Sequence, residues 1–492
     1  MSIEPLILAV DQGTTSCRAL VFNSAANIVE VAQEEFAQIY PKPGWVEHDA
    51  EEIWEATLRT MRAAAKAAEA HGGEIRAIGI TNQRETTAIW DRKTLRPIAN
   101  AIVWQDRRTA DLCARLREEG REESVRSKTG LLLDPYFSAT KASLILNEVE
   151  GARARAEKGE LAFGTIDSFL LARLTGGVHL TDATNASRTL LYNICDDRWD
   201  DDLLALFDVP AALLPEVRDN ISDFGVAHAD ILGRPVPVLA MVGDQQSAAV
   251  GQGCFNAGDI KSTYGTGCFV VAPIDKFALS KNRLLTTIAR RIDGKIYYAL
   301  EGSIFVAGAA VQWLRDSLGI VETAAETDAL ARSLENNGGV YLAPAFTGLG
   351  APHWAADARG AIVGLTRGTG RAHIARAALE SVAYQTADLI DAMRADGAPC
   401  RALKVDGGMV ANDWLMQFLA DMLNTPVDRP EILETTALGA AFLAGVGAGV
   451  YESLDELSNL RRKERVFSPA MEAGDRSRLR KEWGKALERV LL

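Results

Sequence analysis

From Leu6 to Val10 the chain is continuously aliphatic, from Asp11 to Ser16 it is polar, and from Cys17 to Phe22 apolar residues return. Two such runs around Gly13-Thr14-Thr15-Ser16 predict a β-hairpin with a tight polar turn. Ile28–Phe36 continues as a strand. Two prolines and a glycine between Tyr40 and Trp45 predict a loop. Glu51–Ala70, rich in Ala and Glu, reads as a helix ended at Gly72-Gly73. Arg76–Thr81 and Thr86–Trp90 read as strands joined by Asn82-Gln83-Arg84-Glu85. Strands followed by a helix and further strands open a mixed α/β layer structure.

Residues 104–176 are predicted to be mainly helical, with a break at Asp134-Pro135-Tyr136. Pro235–Ala240 is a strand running to Gly243-Asp244-Gln245-Gln246, and Ser247–Gln252 the helix after it. The opening pattern then restarts, because Asp259–Val271 is again strand, Gly-Thr turn and strand. An echo of this kind points to two related halves. It lacks the aspartate of the first copy. Further helices are predicted at Val306–Leu318, Arg371–Ala395, Asp413–Leu423 and Ala437–Val450, with a strand at Ala402–Val405 leading into Asp406-Gly407-Gly408. The charged stretch after Ser453 reads as a peripheral tail. The expected division is an N-terminal domain over 1–253 and a C-terminal domain over 254–492.

Composition narrows the function. At 492 residues the chain exceeds one compact core. A net charge of −13 disfavours a nucleic-acid or anionic-membrane partner. Six scattered cysteines without a C-x-x-C pair form neither a disulfide framework nor a zinc site, which fits a reducing cytoplasm. No secretory signal pattern opens the chain, and the Ala437–Val450 run is too short to span a bilayer.

The hairpin turn offers successive backbone N–H groups and three hydroxyls, a set that either forms an ordinary polar turn or wraps phosphate oxygens. Asp11, at the end of the first strand, is placed to hold Mg²⁺ beside such phosphates. Tyr264-Gly265-Thr266-Gly267 is a second, weaker turn of the same kind. Gly308 and Gln312 share a helix face, one permitting close backbone approach and the other offering an amide. Asp406-Gly407-Gly408 allows close approach of a flat ligand such as adenine, and Asn412 stands at a helix N-cap position. Arg84-Glu85 in a tight turn and Asp244-Gln245 at a strand's C-terminal end are each either ordinary solvated turn residues or, together, a set of donors, acceptors and an amide suited to a neutral polyol. Trp104, Tyr136 and Phe269 are candidates for the walls around its carbon skeleton, or ordinary core aromatics. If the nucleotide is ATP, the reaction is phosphoryl transfer, and Asp244 is the candidate base, with Thr14, Thr15 and Arg18 near the β/γ-phosphates.

Several long segments taken together resemble the FGGY carbohydrate kinases. They are Asp11–Ser16, Tyr40–Asp49, Gly79–Thr87, Asn100–Gln105, Asp134–Ser138, Gly243–Gln246, Tyr264–Phe269, Pro344–Pro352 and Asp406–Gly408. The resemblance runs nearly end to end and is nearest to the glycerol-phosphorylating members. It implies an α/β fold class with two ribonuclease-H-like (actin-like ATPase) domains and an interdomain cleft. It implies ATP and Mg²⁺, with Asp11 and Asp244 near the metal. It assigns Arg84, Glu85, Trp104, Tyr136, Asp244, Gln245 and Phe269 to glycerol, with Asp244 taking the proton. To the nucleotide it assigns Thr14, Thr15, Ser16, Arg18, Gly265, Thr266, Gly308, Gln312, Gly408 and Asn412. It further implies a cytoplasmic homodimer or homotetramer.

One departure stands out. Some bacterial members carry a Gly-Gly-Thr-Arg loop that binds fructose 1,6-bisphosphate, whereas this chain reads Ala229-Asp230-Ile231-Leu232-Gly233-Arg234-Pro235. That control is therefore in doubt. Two alternatives stay open on the sequence. One is a kinase for another polyol or for dihydroxyacetone. The other is an actin- or chaperone-like ATPase with no small substrate.

Overall fold

The strand Glu4–Gln12 (β1) is buried from Leu6 to Val10, as an aliphatic run at the centre of a sheet must be. It pairs antiparallel with Ser16–Asn23 (β2), which pairs antiparallel with Ile28–Glu35 (β3). On its other side β1 pairs in parallel with Gly73–Asn82 (β4). The sheet is completed by Val226–Ala227 (β5) and Val236–Gly243 (β6), in the order β5-β6-β4-β1-β2-β3. These coordinates are a computed structural model describing residues 4–355 and 357–491.

The chain divides into two compact units. The first comprises Met1–Gly253, Thr286–Tyr298 and Thr435–Arg461, the second Cys254–Leu285, Ala299–Glu434 and Arg462–Leu492. A single boundary after residue 253 was the expectation; instead 286–298 and 435–461 return to the first unit.

In the first unit the helix Ala50–Ala70 (α1) packs on β2 and β3. It is capped by Asp49, whose carboxylate accepts the Glu51 N–H at 2.9 Å. Asp244–Gly251 (α2) follows β6 directly. Thr435–Gly447 (α3) lies against β1, β4, β6 and α2, with Ala437–Gly445 buried. Its approach is closer than a β-carbon would allow: one built on Gly79 would stand 2.3 Å from the Ala440 carbonyl oxygen, and one on Gly439 1.9 Å from that of Ser247.

The second unit repeats the plan. Asp259–Tyr264 (β7) pairs antiparallel with Cys268–Ile274 (β8) and in parallel with Ala402–Asp406 (β9). Val427–Pro430 (β10) pairs in parallel with β9, and Lys463–Phe467 (β11) antiparallel with β10. The order from β8 to β11 mirrors that from β2 to β5 strand for strand, including the antiparallel edge. The echo between residues 6–22 and 259–271 is thus a repeat of sheet topology.

The helix Arg371–Ala395 (α5) packs against Gly308–Asp316 (α4) and Asp413–Leu423 (α6), and α6 against β10 and β11. The stretch after Ser453 is peripheral, as expected, but regularly structured. It supplies β11 and the helix Ala473–Leu491 (α7), whose Trp483 is buried and stacks on Tyr384 of α5 with ring centroids 5.3 Å apart. Leu479, Trp483, Ala486 and Leu487 form an apolar stripe at helical spacing that the surrounding charges mask. A second correction concerns 104–176, where Leu161–Gly164 is a buried strand paired antiparallel with Ala88–Asp91.

Candidate active site

Strand register gathers the first unit's polar segments. Asp11, Thr81 and Val242 stand in one row of the parallel strands, and Gln12, Asn82 and Gly243 in the next. The segments that follow, Gly13–Thr15, Gln83–Glu85 and Asp244–Gln245, therefore leave the sheet together at its C-terminal edge, where α/β sheets bind ligands. Arg18 stands directly opposite Asp11 across the hairpin.

Hydrogen bonds tie these segments to one another. The Gln83 backbone N–H donates to the Gln12 carbonyl at 2.7 Å, and its amide to the Gly13 carbonyl at 3.3 Å. Trp104 Nε1 donates to Thr14 Oγ1 at 2.9 Å, so an aromatic wall is fastened to the polar turn. Tyr136 packs edge-on against Trp104 with ring centroids 5.5 Å apart. His48 Nε2 donates to Gln38 Oε1 at 2.8 Å, and its Nδ1 accepts from the Gln83 amide at 3.3 Å. Burial pushes it down to about 4, so it is neutral.

Arg84 and Glu85 are buried, at 2% and 1% exposure, in the turn between strands. Arg84 Nε lies 3.0 Å from Asp244 Oδ1, and Arg84 Nη1 donates to Gln246 Oε1 at 3.2 Å. The Gln245 backbone N–H donates to Asp244 Oδ1 at 2.7 Å, and its side-chain amide to Oδ2 at 3.0 Å. Asp244 thus holds a fixed orientation while remaining partly exposed. Behind it, the Gly243 N–H donates to Thr184 Oγ1 at 2.9 Å, and Thr184 in turn bonds the buried Asp182. Asp182 is raised by burial, and Asp167 is pushed up to about 7 by burial and by Asp182.

Three of these supporting residues escaped the sequence reading. Arg188, fully buried, donates from Nε to Glu85 Oε1 at 2.6 Å. Thr184 carries the residue before Asp244. Lys141 is buried beneath the Glu85 turn. A signal existed for the last: between Pro135 and Asn147 it is the only charged residue.

The second unit holds a separate constellation. The Gly308 N–H donates to the Gly265 carbonyl at 2.9 Å, and the Ala307 and Ala309 N–H groups to that of Thr266 at 2.9 and 3.0 Å. A β-carbon on Gly308 would stand 2.6 Å from the Gly265 oxygen. Gly265, Thr266, Gln312 and Gly408 are exposed. Gly407, at φ +91°, turns the chain out of β9 next to the Tyr264 backbone. Asn412 caps α6, accepting the Leu415 N–H at 2.9 Å. Phe269 is half-buried on β8. Thr263 occupies the position of Asp11 in this copy, and the carboxylate comes instead from its parallel neighbour Asp406, which Thr263 Oγ1 bonds.

Among the described residues no group of three or more His, Cys, Asp or Glu side chains could hold a metal ion. No described helix is long and apolar enough to cross a membrane.

Two α/β units of one topology, one carrying an acid–base cluster and a polar hairpin turn, correspond to a known class. Residues 6–251 match the N-terminal domain of the FGGY family of carbohydrate kinases and residues 260–448 its C-terminal domain. The chain belongs to that family. It is 64% identical to the glycerol kinase of Rhodospirillum centenum over 492 residues, covering 100% of this chain and 99% of that protein. To the glycerol kinase of Methylobacterium nodulans it is 60% identical over 488 residues, covering 98% and 97%. The crystal structure of Plasmodium falciparum glycerol kinase with ADP superposes with a TM-score of 0.94 at 38% identity, covering 100% and 99%.

Proposed function

We propose that this chain transfers the γ-phosphoryl group of ATP to glycerol, forming sn-glycerol 3-phosphate. The observation that carries the reading is the joint placement of Arg84, Glu85, Asp244 and Gln245 at one sheet edge, fastened to the Thr14 turn through Gln83 and Trp104. Such a set offers charged and amide partners for several hydroxyls and an apolar flank for carbon. The high identity to proteins named glycerol kinase supports the same substrate.

In this reading Arg84, Glu85 and Gln245 hold the glycerol hydroxyls, with Trp104 and Tyr136 along the carbons. Phe269, in the second unit, is assigned to the same role by the resemblance alone. Asp244 accepts the proton of the attacking hydroxyl. Its orientation is set in advance by Arg84 and Gln245, so little reorganisation accompanies the step.

On the first unit Thr14, Thr15, Ser16 and Arg18 receive phosphate oxygens. On the second, Gly265, Thr266, Gly308, Gln312, Gly408 and Asn412 receive the rest of the nucleotide. The polar hairpin with Asp11 at its base fits a magnesium-bound triphosphate, since Mg²⁺ takes one or two carboxylates and otherwise phosphate and water. Bound there near Asp11 and Asp244, Mg²⁺ would neutralise charge on the transferring group. The N-terminal region is thereby the substrate domain and the C-terminal region the nucleotide domain. Cytoplasmic location and a homodimer or homotetramer belong to the same reading.

The test is ADP release by purified protein with and without glycerol and Mg²⁺. Strong dependence on both is expected. ATP turnover indifferent to glycerol, or a higher kcat/KM on dihydroxyacetone, xylulose or erythritol, would overturn it.

A further inference from the structure

The turn that carries Arg84 and Glu85 has an unusual backbone and an unusual support. Glu85 lies at φ +62°, a left-handed conformation that residues with a β-carbon seldom adopt and that persists only where the surroundings enforce it. Its carbonyl oxygen receives three side-chain donors: Thr87 Oγ1 at 3.0 Å, Ser138 Oγ at 3.0 Å and Lys141 Nζ at 3.2 Å. A carbonyl has two lone pairs, so three donors on one oxygen mark a place where the backbone is held on purpose.

Lys141 differs from the two hydroxyls. Its Nζ also donates to the Tyr136 carbonyl at 2.7 Å, so one buried amine spans the Arg84–Glu85 turn and the Asp134–Tyr136 loop. The side chain is fully buried. Burial pushes it down to about 7; Glu85, Asp106 and Asp134 favour its charge and Arg107 opposes it. Burying a polar amine is unfavourable unless it is hydrogen-bonded, and Lys141 meets that condition through two backbone carbonyls of different segments. Glu85 is gripped at its other end too, where Arg188 donates to its carboxylate.

We propose that Lys141 is a positioning residue of the polyol site: by bonding the Glu85 and Tyr136 carbonyls together it fixes the distance between the hydroxyl-binding turn and the aromatic wall. The inference rests on the glycerol-kinase reading, which places glycerol between those two segments. Lys141 itself touches no reacting atom.

The experiment is Lys141→Met, which keeps an unbranched apolar stem one atom shorter and removes the donors. Wild type and variant are compared for KM of glycerol, KM of ATP, kcat, Tm and quenching of tryptophan fluorescence by glycerol without nucleotide. We expect KM for glycerol to rise about 10–100-fold, the range for stranding a buried hydrogen-bond partner, with KM for ATP within about twofold. Glycerol quenching should shift to higher concentration in parallel. A residue that serves folding alone would lower Tm and the active fraction but leave the glycerol KM of the folded enzyme unchanged, and that result overturns the proposal. Should Lys141→Met fail to fold, Lys141→Gln repeats the test with one shorter donor retained, expecting a smaller rise in glycerol KM and the same constancy for ATP. Failure of both to fold would also overturn it, by making Lys141 a folding residue. If wild type itself neither binds nor phosphorylates glycerol, the functional reading falls; if wild type binds and the variant binds equally, only the role of Lys141 does.

Discussion

Arg84 Nε lies 3.0 Å from Asp244 Oδ1, joining a turn after one strand of the first sheet to the helix after its parallel neighbour. The arginine is almost wholly buried while the aspartate keeps part of its surface exposed. Arg84 also lies 3.9 Å from Glu85 Oε1, and Asp244 accepts from Gln245, so the pair is one part of a larger charged cluster. Asp244→Asn is expected to lower kcat by ~10²–10⁴-fold with KM for ATP little changed, as for a lost general base. Arg84→Ala should weaken glycerol binding by about 1–3 kcal/mol. Steady-state kinetics check both; a full-activity Asp244→Asn enzyme would place the base elsewhere.

The nucleotide assignment on the second unit has its own probe. A β-carbon on Gly308 would stand 2.6 Å from the Gly265 carbonyl oxygen, so Gly308→Ala must displace either the start of α4 or the Gly265-Thr266 turn. Strain of this kind costs ~1–3 kcal/mol. KM for ATP should rise about tenfold or more, with glycerol quenching of tryptophan fluorescence unaltered. An unchanged KM for ATP would remove Gly265, Thr266 and Gly308 from the nucleotide site.

Packing of α3 on α2 sets a stability prediction. Gly439→Ala would drive a methyl group to 1.9 Å from the Ser247 carbonyl oxygen, which is backbone and has little room to yield. A loss of roughly 3 kcal/mol or more is expected, at the upper end for overpacking. Differential scanning calorimetry reads it as a lowered Tm. Because Asp244 opens α2, kcat should fall as well.

Asp167 gives stability a pH dependence. Its carboxyl is fully buried, raised to about 7 in the folded protein against an ordinary value near 3.8, chiefly by burial and then by Asp182. Between those values the folded state binds more protons than the unfolded chain, so stability falls as pH rises from about 4 to 7. Asp167→Asn should flatten that limb, Asp182 retaining part of it because its carboxyl is raised too. Urea unfolding across this window checks the slope; an identical slope in the variant would assign it to other groups.

Chelation tests the metal. Mg²⁺ is commonly held by one or two carboxylates together with substrate phosphates, so it should bind through nucleotide as much as through protein. EDTA in excess is expected to abolish phosphoryl transfer and added Mg²⁺ to restore it, while glycerol quenching of tryptophan fluorescence persists without metal. Loss of glycerol binding on chelation would contradict a metal held with the phosphates.

Local chemistry carries far in this chain. The aliphatic run at 6–10, the glycine turn and the restart at 259 follow from the period and composition of short segments, which is why both hairpins and α5, α6 and β9 were legible to within a residue or so. Arg84, Glu85 and Asp244 could each have been an ordinary solvated turn residue; only their joint occurrence at two strand ends singled them out, and the fold brings Arg84 and Asp244 within 3.0 Å. Lys141, Thr184 and Arg188 were not legible, since a buried supporting polar residue looks like any other until its partners are known. Charge density likewise hid the apolar stripe of α7.

What the sequence determined alone is the pair of strand–turn–strand units and the polar segments that end their strands, because these depend on neighbours a few residues apart. Tertiary structure alone decided that 435–461 returns to the first unit, that Asp406 replaces the aspartate missing beside Thr263, and that one buried lysine bonds two loops. Each of those is a contact between distant segments, fixed by how sheets and helices pack and not by any local preference.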